Sequence, residues 1–332
     1  MKQILALLLA VGMVAGAVII RDRVIADPAG GGGGGTSSDD PFRLLCATEL
    51  AAVCTSLAEE RDDLVVTIAD PGATTDQLST IDASEDPGFD AWLVDGPWPE
   101  IVADNRAFAG LDDAVLGELS DVLARSPALI VTLASRAAEL VTTCGGAITW
   151  KCIGEQAATT ERVGLPSPER GDGLTVLAEA TASWFGATNY SSGDFEDPAF
   201  TGWFDRLTQL STQTSLGAQS PLARALAASG TFSIVGALES QSARLLRGRD
   251  TYVTTYPDPM VTADVVLAPA AGVDGGDALE TLDAERLAEQ LAGAGWRVPG
   301  QDAIDGVDTS VRLPDGSNMP TPGVLQTLRD IW

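Results

Sequence analysis

Histidine is absent from this 332-residue chain, and lysine occurs only as Lys2 and Lys151. Without histidine there is no Ser-His-Asp or Cys-His relay and no His-containing zinc site. Neither lysine lies in a GxxxxGK[ST] run, so a P-loop is excluded. Basic residues are scarce overall: 20 Lys+Arg stand against 47 Asp+Glu, a formal charge of −27. A field of that sign repels phosphate backbones and excludes general nucleic-acid binding. The acidity is spread along the chain rather than gathered in a tail, the pattern of a solvated surface. Carboxylate pairs remain open as glycosidase machinery, but no pair of acids stands in a convincing context for it. We therefore expect a non-enzyme, with no catalytic residue, cofactor or metal set.

What is present begins with an export signal. Lys2 precedes seventeen apolar residues, Ile4 to Ile20, which meet Arg21-Asp22-Arg23. At 1.5 Å per residue this run reaches the lower limit for a membrane span, and it also suits a signal peptide. Val24-Ile25-Ala26 and Ala15-Gly16-Ala17 offer small-residue cleavage sites, while no cysteine is there to form a lipobox. The run is long for a signal peptide and ends on charges, which favours an uncleaved anchor. Residues 1–26 are thus expected to be a signal or anchor, the only part meeting the membrane. Either way the rest of the chain is exported: single-pass at the cell membrane with an extracytoplasmic domain, or secreted. Residues 27–40, with six consecutive glycines from Gly30 to Gly35 and then Thr-Ser-Ser-Asp-Asp, read as a flexible tether.

The four cysteines, Cys46, Cys54, Cys144 and Cys152, form two pairs eight residues apart. In an oxidising compartment they imply two disulfides. Three connectivities are open, and the local one, Cys46 with Cys54 and Cys144 with Cys152, is preferred. Neither spacing is C-x-x-C, which argues against a redox motif or zinc ribbon.

From Pro41 onward, apolar strands alternate with amphipathic helices. Residues 42–46, 64–68 and 89–94 read as strands, and 49–61 and 74–81 as helices, with another helix starting after Asp95-Gly96-Pro97-Trp98. Strand–helix–strand–helix–strand implies a parallel sheet with right-handed crossovers. Further strands are expected at 128–133, 233–237, 252–255 and 263–268. Helices are expected at 135–141, from Glu169 to Phe185, and at 198–210, 221–229, 279–294 and 322–331, with residues 272–277 as a loop. In such sheets ligands gather at the carboxyl ends of strands. That rule selects Thr48, Glu49, Asp95, Gly96 and Trp98. Thr48 equally suits a helix cap, and Trp98 a core wedge. Glycines at a helix start free backbone amides, and the dipole there favours an anion. That selects Arg170, Gly171 and Asp172, with a solvated arginine as the plainer alternative. Ser126, Glu239 (closing the apolar run 234–238) and Tyr256 complete the set.

The order of these segments resembles the bacterial extracellular solute-binding proteins with the type 2 periplasmic-binding fold. The likeness is carried by Phe42 to Ala47 leading into Thr48-Glu49-Leu50 and by Trp92-Leu93-Val94-Asp95-Gly96-Pro97-Trp98. It continues through the stretch from Ala124 to Val131, through Ile148-Thr149-Trp150-Lys151, and from Gly164 to Leu174. Thr255-Tyr256-Pro257 with Ala263-Asp264, and Gly295-Trp296-Arg297 before Pro320, complete it. It spans nearly all of 42–332 and is similar to an actinobacterial type lacking a von Willebrand factor A domain. Arg170-Gly171-Asp172 departs from the family's serine-rich turn.

The resemblance implies an α/β fold of two lobes, one of about residues 41–130 and 263–332, the other of about 131–262. Together, residues 41–332 would form a solute-binding domain that captures a small-molecule ligand between the lobes and delivers it to an ABC transporter permease. The alternative is a membrane-tethered sensor or cell-envelope interaction protein that keeps the fold without transport.

Overall fold

The computed structural model describes residues 40–156, 162–211, 219–228 and 230–332. The expected signal or anchor, and the tether up to residue 39, lie outside the described residues. Among those described, no helix is long and apolar enough to cross a membrane.

The chain opens with β1 (Phe42–Ala47), a 3₁₀ turn over Thr48–Leu50, α1 (Ala51–Glu59), β2 (Leu64–Ala69) and α2 (Pro71–Leu78). Then come β3 (Ala91–Asp95) and α3 (Pro97–Phe108). β1 pairs in parallel with both β2 and β3, as the alternating pattern requires. Pro71 and Pro97 take the first positions of their helices, where a missing N–H costs nothing. This is why α2 begins three residues earlier than the periodicity of 74–81 indicates.

The next strand, β4 (Ala124–Leu133), is ten residues long because it serves two sheets. Residues 124–127 pair antiparallel with β8 (Thr262–Pro269), which in turn pairs with β3. From Ala128 onward β4 instead pairs with β6 (Ile234–Leu238) and β7 (Tyr252–Thr255), and β6 pairs in parallel with β5 (Val163–Gly164). The sheet is therefore mixed, parallel at both ends and antiparallel where strands cross between the lobes. Beyond the crossing, side chains alternate between two cores. Ala128 and Ile130 join the main core, while Leu129 and Val131 join a smaller one with Leu222, Phe232 and Tyr252.

Between β4 and β6 lie α4 (Ala134–Thr143), α5 (Trp150–Gln156), α6 (Gly171–Phe185), α7 (Pro198–Ser211) and α8 (Pro221–Ala227). α6 is buried from Gly171 through Ser183, its polar residues Asp172, Thr175, Glu179 and Thr181 included, and ends on Gly186 at φ +66°. α9 (Glu239–Leu245) follows β6 directly and was not foreseen. The helix expected over 279–294 is two helices, α10 (Gly275–Leu282) and α11 (Ala284–Gly293). They are separated at Asp283, whose φ is 59° and whose carboxylate caps α11 through Arg286 N. Likewise the loop expected at 272–277 already contains the start of α10, capped by Asp274. The chain closes with α12 (Pro322–Ile331).

Both preferred disulfides are present, Cys46–Cys54 and Cys144–Cys152. The first is buried and closes an eight-residue step around Thr48 and Glu49.

Candidate functional site

The register of the parallel strands decides what meets at their carboxyl edge. Ala47 lies opposite Ala69, so Thr48 and Asp70 emerge side by side, and the Thr48 hydroxyl donates to Asp70 Oδ1. Thr48 caps nothing: the 3₁₀ turn has no side-chain cap. Cys46 lies opposite Leu93, which brings Glu49 to Asp95. Asp95 is fully buried. Glu49 is partly exposed as a residue, yet both its carboxylate oxygens are sealed from solvent. No other side chain donates to any of the four oxygens of this pair, and the two carboxyl groups bond only to each other.

The first turn of α6 closes over that pair. A β-carbon on Gly171 would overlap Asp95 Oδ1 and Glu49 Oε1, so only glycine allows the helix to approach. Next to it, Arg170 Nε donates to Asp172 Oδ1 at 2.9 Å, and its Nη1 lies 3.9 Å from Asp70. Asp172, fully buried, also accepts from Gln241 Nε2 of α9 at 2.6 Å. Gly72 approaches the loop before α6 as closely: its N–H donates to Glu169 O at 2.9 Å, and a β-carbon there would overlap the Glu169 side chain.

Burial, and then the neighbouring Asp95, hold the Glu49 carboxyl well above the usual range. Burial likewise pushes Asp95 up to about 6, with Asp172 and Asp264 adding repulsion. Two acids in contact and out of water cannot both ionise cheaply, which favours a proton held between them.

A second acidic centre sits at the carboxyl end of β6. Glu239 is buried, takes a two-pronged bond from Arg297 (Nε to Oε2 2.6 Å, Nη2 to Oε1 2.7 Å) and accepts from the Tyr256 hydroxyl. Ser126 Oγ, buried in β4, accepts from Ser240 N at 3.0 Å. Gly96 N donates to Asp264 O at 2.7 Å, and Asp264 is paired with Arg125 at 3.0 Å.

The expected residues therefore fall into two groups joined through α9. Thr48, Glu49, Asp95, Arg170, Gly171 and Asp172 surround the start of α6. Ser126, Glu239 and Tyr256 lie around the crossing strands. Trp98 joins neither: it is fully buried, with the Arg329 guanidinium 5.6 Å from its ring centre. Sequence reasoning missed Asp70, Gln241 and Arg297. Asp70 ends β2 and would have been found by the strand-end rule. Nothing in the local pattern marks Gln241 or Arg297. The described residues contain no cluster of three or more His, Cys, Asp or Glu able to hold a metal ion.

α12 spans the seam between the α2–α3 side and the α6–α7 side. Arg329 reaches Glu169 at 2.7 Å and Asp76 at 2.9 Å, and the Trp332 ring meets Phe204 edge-on.

No family model and no curated protein matches the sequence. Solved structures do match. The periplasmic binding protein AfuA from Actinobacillus pleuropneumoniae, with fructose-6-phosphate bound, is similar over 89% of this chain and 98% of its own (TM-score 0.60, 11% identity). Iron-bound HitA from Pseudomonas aeruginosa is similar over 88% and 99% (TM-score 0.58, 12% identity). A periplasmic thiamin binding protein is similar over 91% and 98% (TM-score 0.59, 14% identity). The chain has the two-lobed α/β fold of the type 2 periplasmic binding proteins.

Proposed function

We propose that this chain is an extracytoplasmic solute-binding protein that holds a small ligand between its lobes and hands it to an ABC transporter permease. We place one lobe at about residues 41–130 and 263–332 and the other at about 131–262. The observation that carries the reading is the meeting of polar groups from both sides at one seam. Glu49 and Asp95 come from the ends of β1 and β3, Arg170 to Asp172 from the start of α6, and Gln241 from α9. Clefts between lobes are where small ligands are held, and closure about crossing strands such as β4 secures them. No general base is needed for this task.

The test is a thermal-shift screen of the full-length protein across oxyanions, sugars, amino acids, amines and metal ions. A ligand at 100-fold its Kd adds about 2.7 kcal/mol of stability. Gly171→Val, which wedges α6 away from Glu49 and Asp95, is expected to abolish the response to any ligand found. Unchanged affinity in that variant would remove the seam as the site.

A further inference from the structure

The chemical class of ligand follows from how charge is arranged at the start of α6, and this inference rests on the receptor reading above. Arg170 is the residue that would draw an anion, but its guanidinium is bonded to Asp172 and lies 3.9 Å from Asp70. The space in front of the first turn of α6, where a helix favours negative charge, is filled by the chain's own Glu49 and Asp95. Four carboxyl groups (Glu49, Asp70, Asp95 and Asp172) thus face one arginine. A free anion would meet repulsion there and find no unshared cation.

Asp172 has its partners. Glu49 and Asp95 have only each other: all four of their oxygens are sealed from solvent, and no other side chain donates to them. Buried acceptors in this state are costly unless a donor arrives or a proton is shared. A metal ion is a poor match. Calcium takes six to eight oxygens, two carboxylates supply at most four, and no metal-holding cluster is found among the described residues. An ammonium group fits better, because it carries one positive charge and three N–H donors in a small head.

We infer that the cleft captures its ligand through a primary ammonium group, which enters as the lobes part and donates to Glu49 and Asp95. The ammonium takes the place of the proton the two acids share, so binding releases a proton to solvent. The raised Glu49 and Asp95 carboxyls agree with this exchange. The groups that set the balance are Asp172 on α6, Arg170 just before it, Asp70 after β2 and Asp264 on β8.

The experiment is calorimetric titration of the full-length protein with methylamine, butylamine and 1,4-diaminobutane, beside succinate, phosphate, glucose and calcium. The expected result is binding by at least one amine, tighter at pH 8 than at pH 5, with a heat that depends on the buffer's own ionisation. Glu49→Gln and Asp95→Asn should each weaken that binding at least tenfold. Both variants lose a buried charge and should fold at least as well as the parent, which thermal melting checks. Binding of succinate, phosphate or glucose with no response to amines overturns the inference and leaves the receptor reading standing. Tight calcium binding lost in the same variants overturns the ammonium assignment in favour of a metal. Silence from every probe overturns the inference, and the broad screen with Gly171→Val then judges the receptor reading separately.

Discussion

Two acidic centres lie at the carboxyl ends of strands in this molecule, and they are built oppositely. At the end of β6, Glu239 is surrounded by donors: Arg297 on two prongs, the Tyr256 hydroxyl and Asp308 N. At the ends of β1 and β3, Glu49 and Asp95 have only each other. Both centres are shut away from water, so the difference is one of partners rather than burial. A fully bonded acid fixes structure, here the C-terminal segment against α9. An acid left without donors has capacity for something else.

The comparison breaks first, and with the largest effect, at Arg297. Arg297→Ala leaves buried Glu239 short of its main partner, and should cost about 3–5 kcal/mol in chemical denaturation. The double change Arg297→Met with Glu239→Gln should recover much of that loss. No loss in the single variant would mean that the Arg297–Glu239 pair does not hold the C-terminal segment.

The disulfides sharpen it next. The Cys46–Cys54 bridge encloses Thr48 and Glu49, whereas Cys144–Cys152 ties the end of α4 to α5 and encloses no residue of either centre. Replacing either pair with alanine should cost about 2–3 kcal/mol, the scale for a short closed loop. Only the first should also change proton or ligand uptake at Glu49, as read by titration.

A smaller effect is expected from neutralising the unpartnered acids. Their folded-state affinity for a proton is raised, so the folded protein holds protons that the unfolded chain has already released. Their contribution to stability is therefore full below about pH 4 and is lost as pH rises, for Asp95 up to about 6. Glu179, buried on α6 and accepting from Val261 N, is pushed by burial up to about 8 and extends the decline to that pH. Asp95→Asn should raise stability at pH 8 by on the order of 1–3 kcal/mol and flatten the acid side of the profile. Glu179→Gln should flatten the part between pH 6 and 8. Stability that rises with pH across this window would contradict both assignments.

The smallest effect concerns the seam. Arg329→Ala removes the link from α12 to Glu169 and Asp76, both partly exposed, and should cost about 1 kcal/mol or less. Its visible consequence is a larger radius in small-angle scattering, from lobes that part more readily. An unchanged radius would show that α12 does not hold the seam.

Much of the frame was legible beforehand. The apolar runs at 42–46 and 128–133 are strands because apolar residues in short blocks suit a sheet covered on both faces, whereas the β-branched run at 64–68 forms an edge strand of the sheet with Val65 and Ile68 exposed. The strand-end rule pointed to Thr48, Glu49 and Asp95, and the register brings them together because residues that follow parallel strands emerge at one edge of the sheet. The expectation of an anion, drawn from Arg170 and the glycines, rested on Arg170 being free. Asp172, two residues away, takes its charge instead. The break at Asp283 was missed because 3.6-residue periodicity continues across it, and only a left-handed residue shows where one helix stops and the next begins.

By itself the sequence determined the class of chemistry: no histidine, scarce lysine, a large negative charge, and two cysteine pairs whose short spacing brings each together in its own loop. It also marked which apolar runs become strands, but not their limits: β4, expected from residue 128, begins at Ala124 because its first four residues pair with β8. Tertiary structure alone decided which acids are satisfied. Glu49 meets Asp95 across 46 residues and Glu239 meets Arg297 across 58. A carboxyl group's state depends on donors and water within a few ångströms, and no local pattern specifies those.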